Sequence, residues 1–168
     1  MRRILTPLLL ALSIGCAGGR PALGRSWIVG KPLDLGVTNL SGEPVAVGGA
    51  DGNVRAVVLW ATWCERCFQL FPALDVIASG GQLRGFAVHA ISVDEDPAKV
   101  KESLARIPPH VRVLWDRGAE RLGERLGVEE LPTLIVIDRR GIVRHVHEGA
   151  DEHLVERVDR EVRRLLQE

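Results

Sequence analysis

Two cysteines, three residues apart, follow an unbroken apolar run, and this arrangement constrains the fold more than any other feature. The run at residues 54–60 predicts a β-strand buried on both faces, as in a sheet that helices cover. A helix is predicted to begin near Cys64 and to end at Gly80 and Gly81. Cys64 and Cys67 then share its first turn, where their sulfur atoms are close enough to bond.

The helix start predicts unequal reactivity for the two thiols. Cys64 faces the unpaired backbone N–H groups and the positive end of the helix dipole, and both favour a thiolate over a thiol. Cys67, one turn further in, is expected to be more buried and a poorer nucleophile. This asymmetry suits disulfide exchange, in which Cys64 attacks a partner's disulfide and Cys67 resolves the mixed disulfide. Glu65 and Arg66 carry opposite charges, so the sequence leaves the sign of their combined effect on Cys64 open.

Three other uses of a Cys-x-x-Cys pair fit the sequence less well. A zinc site needs a second ligand pair; His145 and His147 are available, but alternate spacing on a predicted strand is more typical of a solvated face. A c-type haem requires histidine directly after the second cysteine, where Phe68 stands. A purely structural disulfide at this spacing would close a very small loop and add little stability. We therefore predict neither a metal nor a cofactor.

The order of predicted elements indicates an α/β domain. Strands are predicted at 54–60, 86–93, 111–115, 134–138 and 142–147, after an N-terminal hairpin at 33–37 and 45–47. Helices are predicted from 64 to about 78, from 97 to 107, from 119 to 127 and from 154 to 166. This order favours a three-layer sandwich with a mixed central sheet and helices on both faces. Chemistry in such sheets tends to lie past the carboxyl end of a central strand, where Cys64 stands.

A second motif precedes the strand predicted at 134–138. Pro132 stands at the entry to that strand and is a candidate for a cis peptide bond. Taken alone it is better read as an ordinary loop proline, because only about 5–6% of X–Pro bonds are cis. Its combination with an upstream Cys-x-x-Cys pair reverses that preference.

Together these motifs resemble the thioredoxin superfamily, and within it the TlpA/ResA-like membrane-tethered thiol–disulfide oxidoreductases. The resemblance spans about residues 30–168, with 97–115 matching the insertion that separates this group from minimal thioredoxin. It is carried by Trp-Ala-Thr-Trp-Cys-Glu-Arg-Cys at 60–67, Phe-Pro at 71–72, Ile-Ser-Val-Asp-Glu-Asp at 91–96, Gly-Val-x-x-Leu-Pro-Thr at 127–133 and Ile-Asp-Arg-Arg-Gly at 137–141.

The resemblance implies roles for particular residues. Cys64 is implied to attack and Cys67 to resolve. Pro132 is implied to be cis and to pack against the pair, leaving the Leu131 backbone to hold substrate as an added strand. The substrate-binding residues implied in this way are Trp63, Leu131, Pro132 and Thr133. Glu95 matches an acidic position that assists proton movement in ResA-like proteins, although a solvated loop carboxylate is an equal interpretation.

The resemblance also implies partners. Proteins of this group are usually reductants that act on protein disulfides, such as those of apocytochrome c or copper-site cysteines, and receive electrons from a membrane thiol transporter. One departure concerns this choice of partner: Phe68 and Leu70 stand where ResA-like helices often carry Lys and Glu. They predict an unusually apolar helix surface beside the cysteines.

The first 19 residues have the order of an export signal. Arg2 and Arg3 precede an apolar stretch too short to span a bilayer, and small residues around Cys16 follow. Cys16 stands at a lipobox-like position, although Ser13 replaces the usual Leu; lipidation of Cys16 and a non-lipidated cut after Ala17 are the alternatives. A linker is predicted at 20–30 and one thioredoxin-like domain at 31–168.

Composition excludes several partners. The chain has 22 basic and 22 acidic residues, and removal of Arg2 and Arg3 leaves 20 against 22, a net charge of −2. Such a balance gives no basis for nucleic-acid binding. We expect an exported, lipid-anchored monomer facing the periplasm or extracytoplasmic space.

Two other functions remain as alternatives. A peroxiredoxin-like thiol peroxidase would need Thr-x-x-Cys with a preceding proline, whereas Thr62 is only two residues before Cys64. A non-catalytic envelope module with an inert disulfide is the alternative from another class. Rapid alkylation of Cys64 at neutral pH would separate an enzyme from such a module.

Overall fold

A computed structural model describes residues 25–80, 84–120, 122, 126 and 129–168. The predicted signal segment with Cys16, the first part of the predicted linker and the predicted helix end at Gly127 lie outside these residues. Within the described ranges, no helix is both long and apolar enough to cross a membrane.

The described strands form one mixed sheet of seven. They are β1 (Asp34–Thr38), β2 (Pro44–Gly48), β3 (Val54–Trp60), β4 (Phe86–Ser92), β5 (Val111–Trp115), β6 (Thr133–Ile137) and β7 (Val143–Glu148), in the spatial order β2-β1-β5-β4-β3-β6-β7. β4 runs parallel to both β3 and β5, whereas β6 is antiparallel to β3 and β7 antiparallel to β6. The predicted mixed sheet is confirmed, and β3 and β5 have the predicted bounds.

The described chain contains three α-helices: α1 (Glu65–Ser79), α2 (Pro97–Ser103) and α3 (Leu154–Leu165). Asp96 caps α2 by accepting a hydrogen bond from the Ala98 N–H at 2.9 Å. α2 is shorter than predicted, because the chain tightens into a 3-10 helix at Leu104–Arg106 and becomes extended at Ile107. The proline after Ile107 disfavours a helical conformation at that residue.

The sheet separates two hydrophobic cores. Successive residues of β3 alternate between them, with Val58 facing α1 and α3 and Val57 facing the other side. On that second side Leu122 and Leu126 are buried, and the Leu126 N–H donates to the Leu122 carbonyl at 2.7 Å, as one turn of helix requires. The rest of the helix predicted at 119–127 lies largely outside the described residues. This architecture is an α/β thioredoxin fold.

The described end of the predicted linker lies against β7. A 3-10 helix covers Arg25–Ile28, and the side chain of Ile28 is buried. The Gly30 N–H donates to the Val143 carbonyl at 2.8 Å, and the Val143 N–H donates to the Lys31 carbonyl at 3.0 Å. Ile28 belongs to the second core.

One titratable side chain in β4 is buried on the second side of the sheet. His89 lies in the middle of the strand, and its Nδ1 has no hydrogen-bond partner among the described residues. Burial, with the positive charges of Arg112 and Arg55, lowers the pKa of His89 to about 4. The imidazole is therefore neutral at physiological pH.

Candidate active site

The cysteine pair lies where the fully buried strand β3 gives way to α1. Cys64 is the N-cap of α1, in an extended conformation, and its N–H donates to the Ala61 carbonyl at 3.0 Å. The Cys64 and Cys67 sulfurs are bonded at 2.01 Å, with the two Cα atoms 5.3 Å apart. The predicted proximity of the two sulfurs on the first turn is confirmed.

The two cysteines differ in burial. Cys64 is 7% exposed and Cys67 is fully buried, which confirms the predicted order of accessibility. Trp63, directly before the pair, is 75% exposed. Cys64 is therefore the more accessible of the two cysteines, and as the N-cap it lies at the helix end whose first N–H groups lack intrahelical partners.

A buried carboxylate holds the loop that carries Cys64. Asp94, after β4, accepts hydrogen bonds from the Thr62 N–H at 2.9 Å, the Thr62 hydroxyl at 2.7 Å and the Ser92 hydroxyl at 2.8 Å. Its backbone carbonyl accepts from the Trp115 indole N–H at 2.7 Å. Asp94 thus joins the ends of β3, β4 and β5 beneath the active-site turn.

Asp94 lies within the motif at 91–96, but it is not among the predicted site residues. The signal that was available is its position directly after a buried strand parallel to β3, because the carboxyl ends of parallel strands meet at one edge of the sheet. The same contacts bear on the peroxidase alternative. The Thr62 hydroxyl donates to Asp94 and is not arranged as the free hydroxyl of a peroxide pocket.

Glu95, the acidic residue that the resemblance selects, is exposed in the loop after Asp94. No described contact joins its carboxylate to either cysteine. Its proposed part in proton movement stays a prediction.

The loop before β6 reaches the same end of the sheet. Thr133 pairs with Leu59 at the end of β3, and its hydroxyl donates to the Glu130 carbonyl at 2.6 Å. The Leu131–Pro132 peptide bond is cis, as predicted, and Pro132 is buried. Leu131 is partly buried against the core that contains both cysteines. The structure therefore brings this loop and the cysteine pair to one site.

Two ion pairs flank the cysteines, each made by one of the residues between them. Glu65 pairs with Arg106 of the 3-10 helix, with Nη2 lying 2.8 and 3.0 Å from the two carboxylate oxygens. Arg66 lies 3.7 Å from Glu130 of the loop before β6. Each charge in the Cys-x-x-Cys motif thus has a partner from a different loop.

Aromatic side chains form the apolar wall behind the disulfide. Trp60, Phe68 and Phe71 make mutual edge-to-face contacts with ring centroids 5.3–5.9 Å apart. Phe68 is 6% exposed and Leu70 is 4% exposed. The predicted apolar surface beside the cysteines is therefore wrong, because α1 turns both residues into the core and Arg106 covers the ring of Phe68.

The two strand histidines face α3. His147 Nε2 lies 2.9 Å from one oxygen of Glu161, and His145 Nδ1 lies 3.3 Å from the other. The predicted solvated face is thus a partly buried surface between β7 and α3. Among the described residues, no group of three His, Cys, Asp or Glu side chains has an arrangement that could hold a metal ion.

Comparisons with known proteins agree with this geometry. The profile of the Redoxin family matches residues 29–162. Thiol:disulfide interchange protein DsbE of Yersinia pestis is 26% identical over 151 residues, which are 87% of this chain and 78% of that protein. Thiol-disulfide oxidoreductase ResA of Halalkalibacterium halodurans is 24% identical over 127 residues, 75% of this chain and 72% of that protein.

A solved structure shares the fold. The crystal structure of a protein assigned as thiol:disulfide interchange protein DsbE from Chlorobium tepidum aligns with a TM-score of 0.72 and 27% identity, covering 80% of this chain and 94% of that one. The chain belongs to the Redoxin family, within the thioredoxin superfamily. It is a TlpA/ResA-like thiol–disulfide oxidoreductase, with the Cys64–Cys67 pair as its redox centre.

Proposed function

We propose that the chain is a reductant of protein disulfides in the bacterial cell envelope, of the cytochrome c maturation type. The observation that carries this proposal is a cysteine pair at the start of α1 in which Cys64 is the more exposed residue, beside the loop that contains Pro132. The names of the DsbE and ResA relatives support the exchange of thiols and disulfides. The reducing direction rests on the resemblance to this group.

The proposed reaction begins with the reduced pair. The Cys64 thiolate attacks one sulfur of a substrate disulfide, forms a mixed disulfide and releases the other substrate sulfur as a thiolate that takes up a proton. The thiol of Cys67 then loses its proton and attacks the Cys64 sulfur. This second step releases the fully reduced substrate and leaves the Cys64–Cys67 disulfide. Two electrons pass to the substrate, and a membrane dithiol donor restores the dithiol.

Substrate would bind along the loop before β6. Leu131 supplies backbone groups that an extended segment can pair with, flanked by Pro132 and Thr133. The exposed indole of Trp63 offers an apolar contact on the other side of Cys64. Glu95, in the exposed loop after β4, would assist proton movement at the site.

The proposed location is membrane-anchored, with the domain facing the periplasm or extracytoplasmic space. The export-type N-terminus supports secretion, and acylation of Cys16 would supply the membrane anchor. One of the solved structures with this fold is described as a pneumococcal exposed lipoprotein thioredoxin, at 22% identity and a TM-score of 0.63. We propose that the mature chain acts as a monomer.

Trapping of the mixed disulfide tests the assigned roles. A synthetic Cys-x-x-Cys-His peptide in its disulfide form is offered to the reduced wild type, Cys64→Ser and Cys67→Ser variants. We expect Cys67→Ser to accumulate a peptide adduct because no resolving thiol remains, and Cys64→Ser to form almost none.

The reverse pattern would contradict the attacking role of Cys64. No reduction of the peptide by the wild type would contradict the proposed function itself. A non-catalytic module with an inert disulfide would also leave the peptide unreduced.

A further inference from the structure

Arg106 joins the inserted segment between β4 and β5 to the first turn of α1. Its Nη2 lies 2.8 and 3.0 Å from the two Glu65 carboxylate oxygens, and its guanidinium carbon lies 3.7 Å from the Phe68 ring centroid. One side chain therefore contacts the residue after Cys64 and the residue after Cys67. The ion pair joins residues 41 positions apart in the chain.

Pairing of Glu65 matters for the chemistry of Cys64. An unpaired carboxylate next to Cys64 opposes a negative sulfur through like-charge repulsion. Two other charged side chains near the cysteines have partners of their own, while Glu95 lies exposed in the loop after β4. Arg66 lies near Glu130, and the buried Asp94 accepts hydrogen bonds from beneath the turn. Removal of Arg106 would thus leave the Glu65 carboxylate, in the residue next to Cys64, without its guanidinium partner.

The contact with Phe68 fixes the position of that pairing. The Phe68 ring is buried against Trp60 and Phe71, so it is held in place and its face can stack with the planar guanidinium. An arginine held in this way keeps the Glu65 carboxylate on the side of the helix that faces the insertion. A lysine would keep the charge but lose the planar stacking.

We propose that Arg106 is a positioning residue that raises the reactivity of Cys64 by neutralising and holding Glu65. The proposal rests on Cys64 being the attacking cysteine. It assigns a role in exchange to the inserted segment, since the 3-10 helix Leu104–Arg106 delivers this guanidinium.

The test is the pH profile of Cys64 alkylation in the reduced protein, measured with iodoacetamide on the Cys67→Ser background. Arg106→Gln should move the profile to higher pH and slow alkylation at pH 7 by roughly two- to five-fold, the size expected of an exposed ion pair. The difference should shrink in 1 M salt. In a Glu65→Gln background the same substitution should have little effect.

Arg163→Gln is the matched control. Arg163 pairs with Asp159 at 2.8 Å and is 49% exposed on its side chain, the same as Arg106, but it lies on α3 away from the cysteines. The Arg163→Gln substitution should leave the pH profile of Cys64 alkylation unchanged. Arg106→Lys should restore most of the reactivity and thereby separate the charge from the stacking.

An unchanged profile in Arg106→Gln, with a reactive Cys64 in the parent protein, would overturn this role and leave the oxidoreductase function intact. An equal effect with and without Glu65 would overturn it too, because the residue would then act through packing alone. An unreactive Cys64 in the parent would overturn both the role of Arg106 and the proposed function.

Discussion

Substitution of Asp94 tests how the turn before Cys64 is held in place. In Asp94→Ala, the Thr62 N–H and the hydroxyls of Thr62 and Ser92 lose the carboxylate that accepts their hydrogen bonds. The Thr62 N–H has a fixed direction and is left without an acceptor, which costs roughly 1–3 kcal/mol. Each hydroxyl can rotate toward another acceptor, and its loss costs about 1 kcal/mol. We expect a total loss of roughly 3–5 kcal/mol in the free energy of unfolding.

Two matched variants separate this effect from simple loss of a polar group. Thr62→Val removes only the hydroxyl bond to Asp94 and should cost about 1–1.5 kcal/mol. Asp96→Ala removes an exposed carboxylate two residues away that caps α2 with a single hydrogen bond, and it should cost about 1 kcal/mol.

Urea unfolding of the oxidised proteins gives the three free energies, and peptide exchange gives the effect on the site. Asp94→Ala should also slow exchange more than Asp96→Ala does, because Asp94 holds the loop leading to Cys64. A loss of stability in Asp94→Ala no larger than in Thr62→Val would refute the view that the carboxylate organises this turn.

The buried His89, the tight turn at Gly141 and the N-terminal Cys16 each give a further measurable expectation. The pKa of His89 is about 4 in the folded protein and 6.5 in the unfolded chain, so between these pH values the unfolded chain binds the proton preferentially. The free energy of unfolding is therefore fully retained above pH 6.5 and falls by roughly 3 kcal/mol as the pH drops toward 4. In His89→Leu, urea unfolding at pH 7 and pH 4.5 should show a smaller difference than in wild type; an equal difference would contradict the burial argument. At Gly141, φ is +79° and an added Cβ would lie 2.7 Å from the Gly49 carbonyl carbon, whereas Gly42 has φ of +86° and open space. Thermal melts should therefore show a clearly larger loss for Gly141→Ala than for Gly42→Ala, which costs roughly 1 kcal/mol, and equal losses would count against the close contact. Mass spectrometry of the mature N-terminus should find acylated Cys16, and an unmodified chain beginning after it would exclude the lipid anchor.

Local patterns in the sequence were sufficient to predict the strand and the helix start that carry the cysteine pair. The continuous apolar run predicted β3, and the cysteine spacing predicted a bond across the first turn of α1, because both depend on residues close together in the chain. The cis bond before Pro132 was predicted only by combining two motifs about 65 residues apart with a family resemblance. The shortening of α2 depended on a local competition between the apolar spacing that favoured a longer helix and the proline after Ile107.

The contacts that tune the site could not be predicted in this way. Asp94 and Glu95 are adjacent acidic residues, and only the pairing of β3 with β4 shows which one is buried beneath the active-site turn. Arg106 meets Glu65 through the folding of the insertion onto α1, which no periodicity records. Phe68 was predicted to be exposed because the sequence does not show what covers a helix face.

The reduction potential of the Cys64–Cys67 pair tests the proposed reductant function most directly. The oxidised protein is equilibrated with glutathione buffers of graded ratio, and the fraction of disulfide is read after acid quenching and thiol alkylation. We predict one reversible two-electron transition at a potential below about −200 mV, so that the dithiol form gives electrons to substrates in an oxidising compartment. A pair that does not exchange with glutathione in the folded protein, or one whose potential lies well above that value, would contradict the assignment as a reductant.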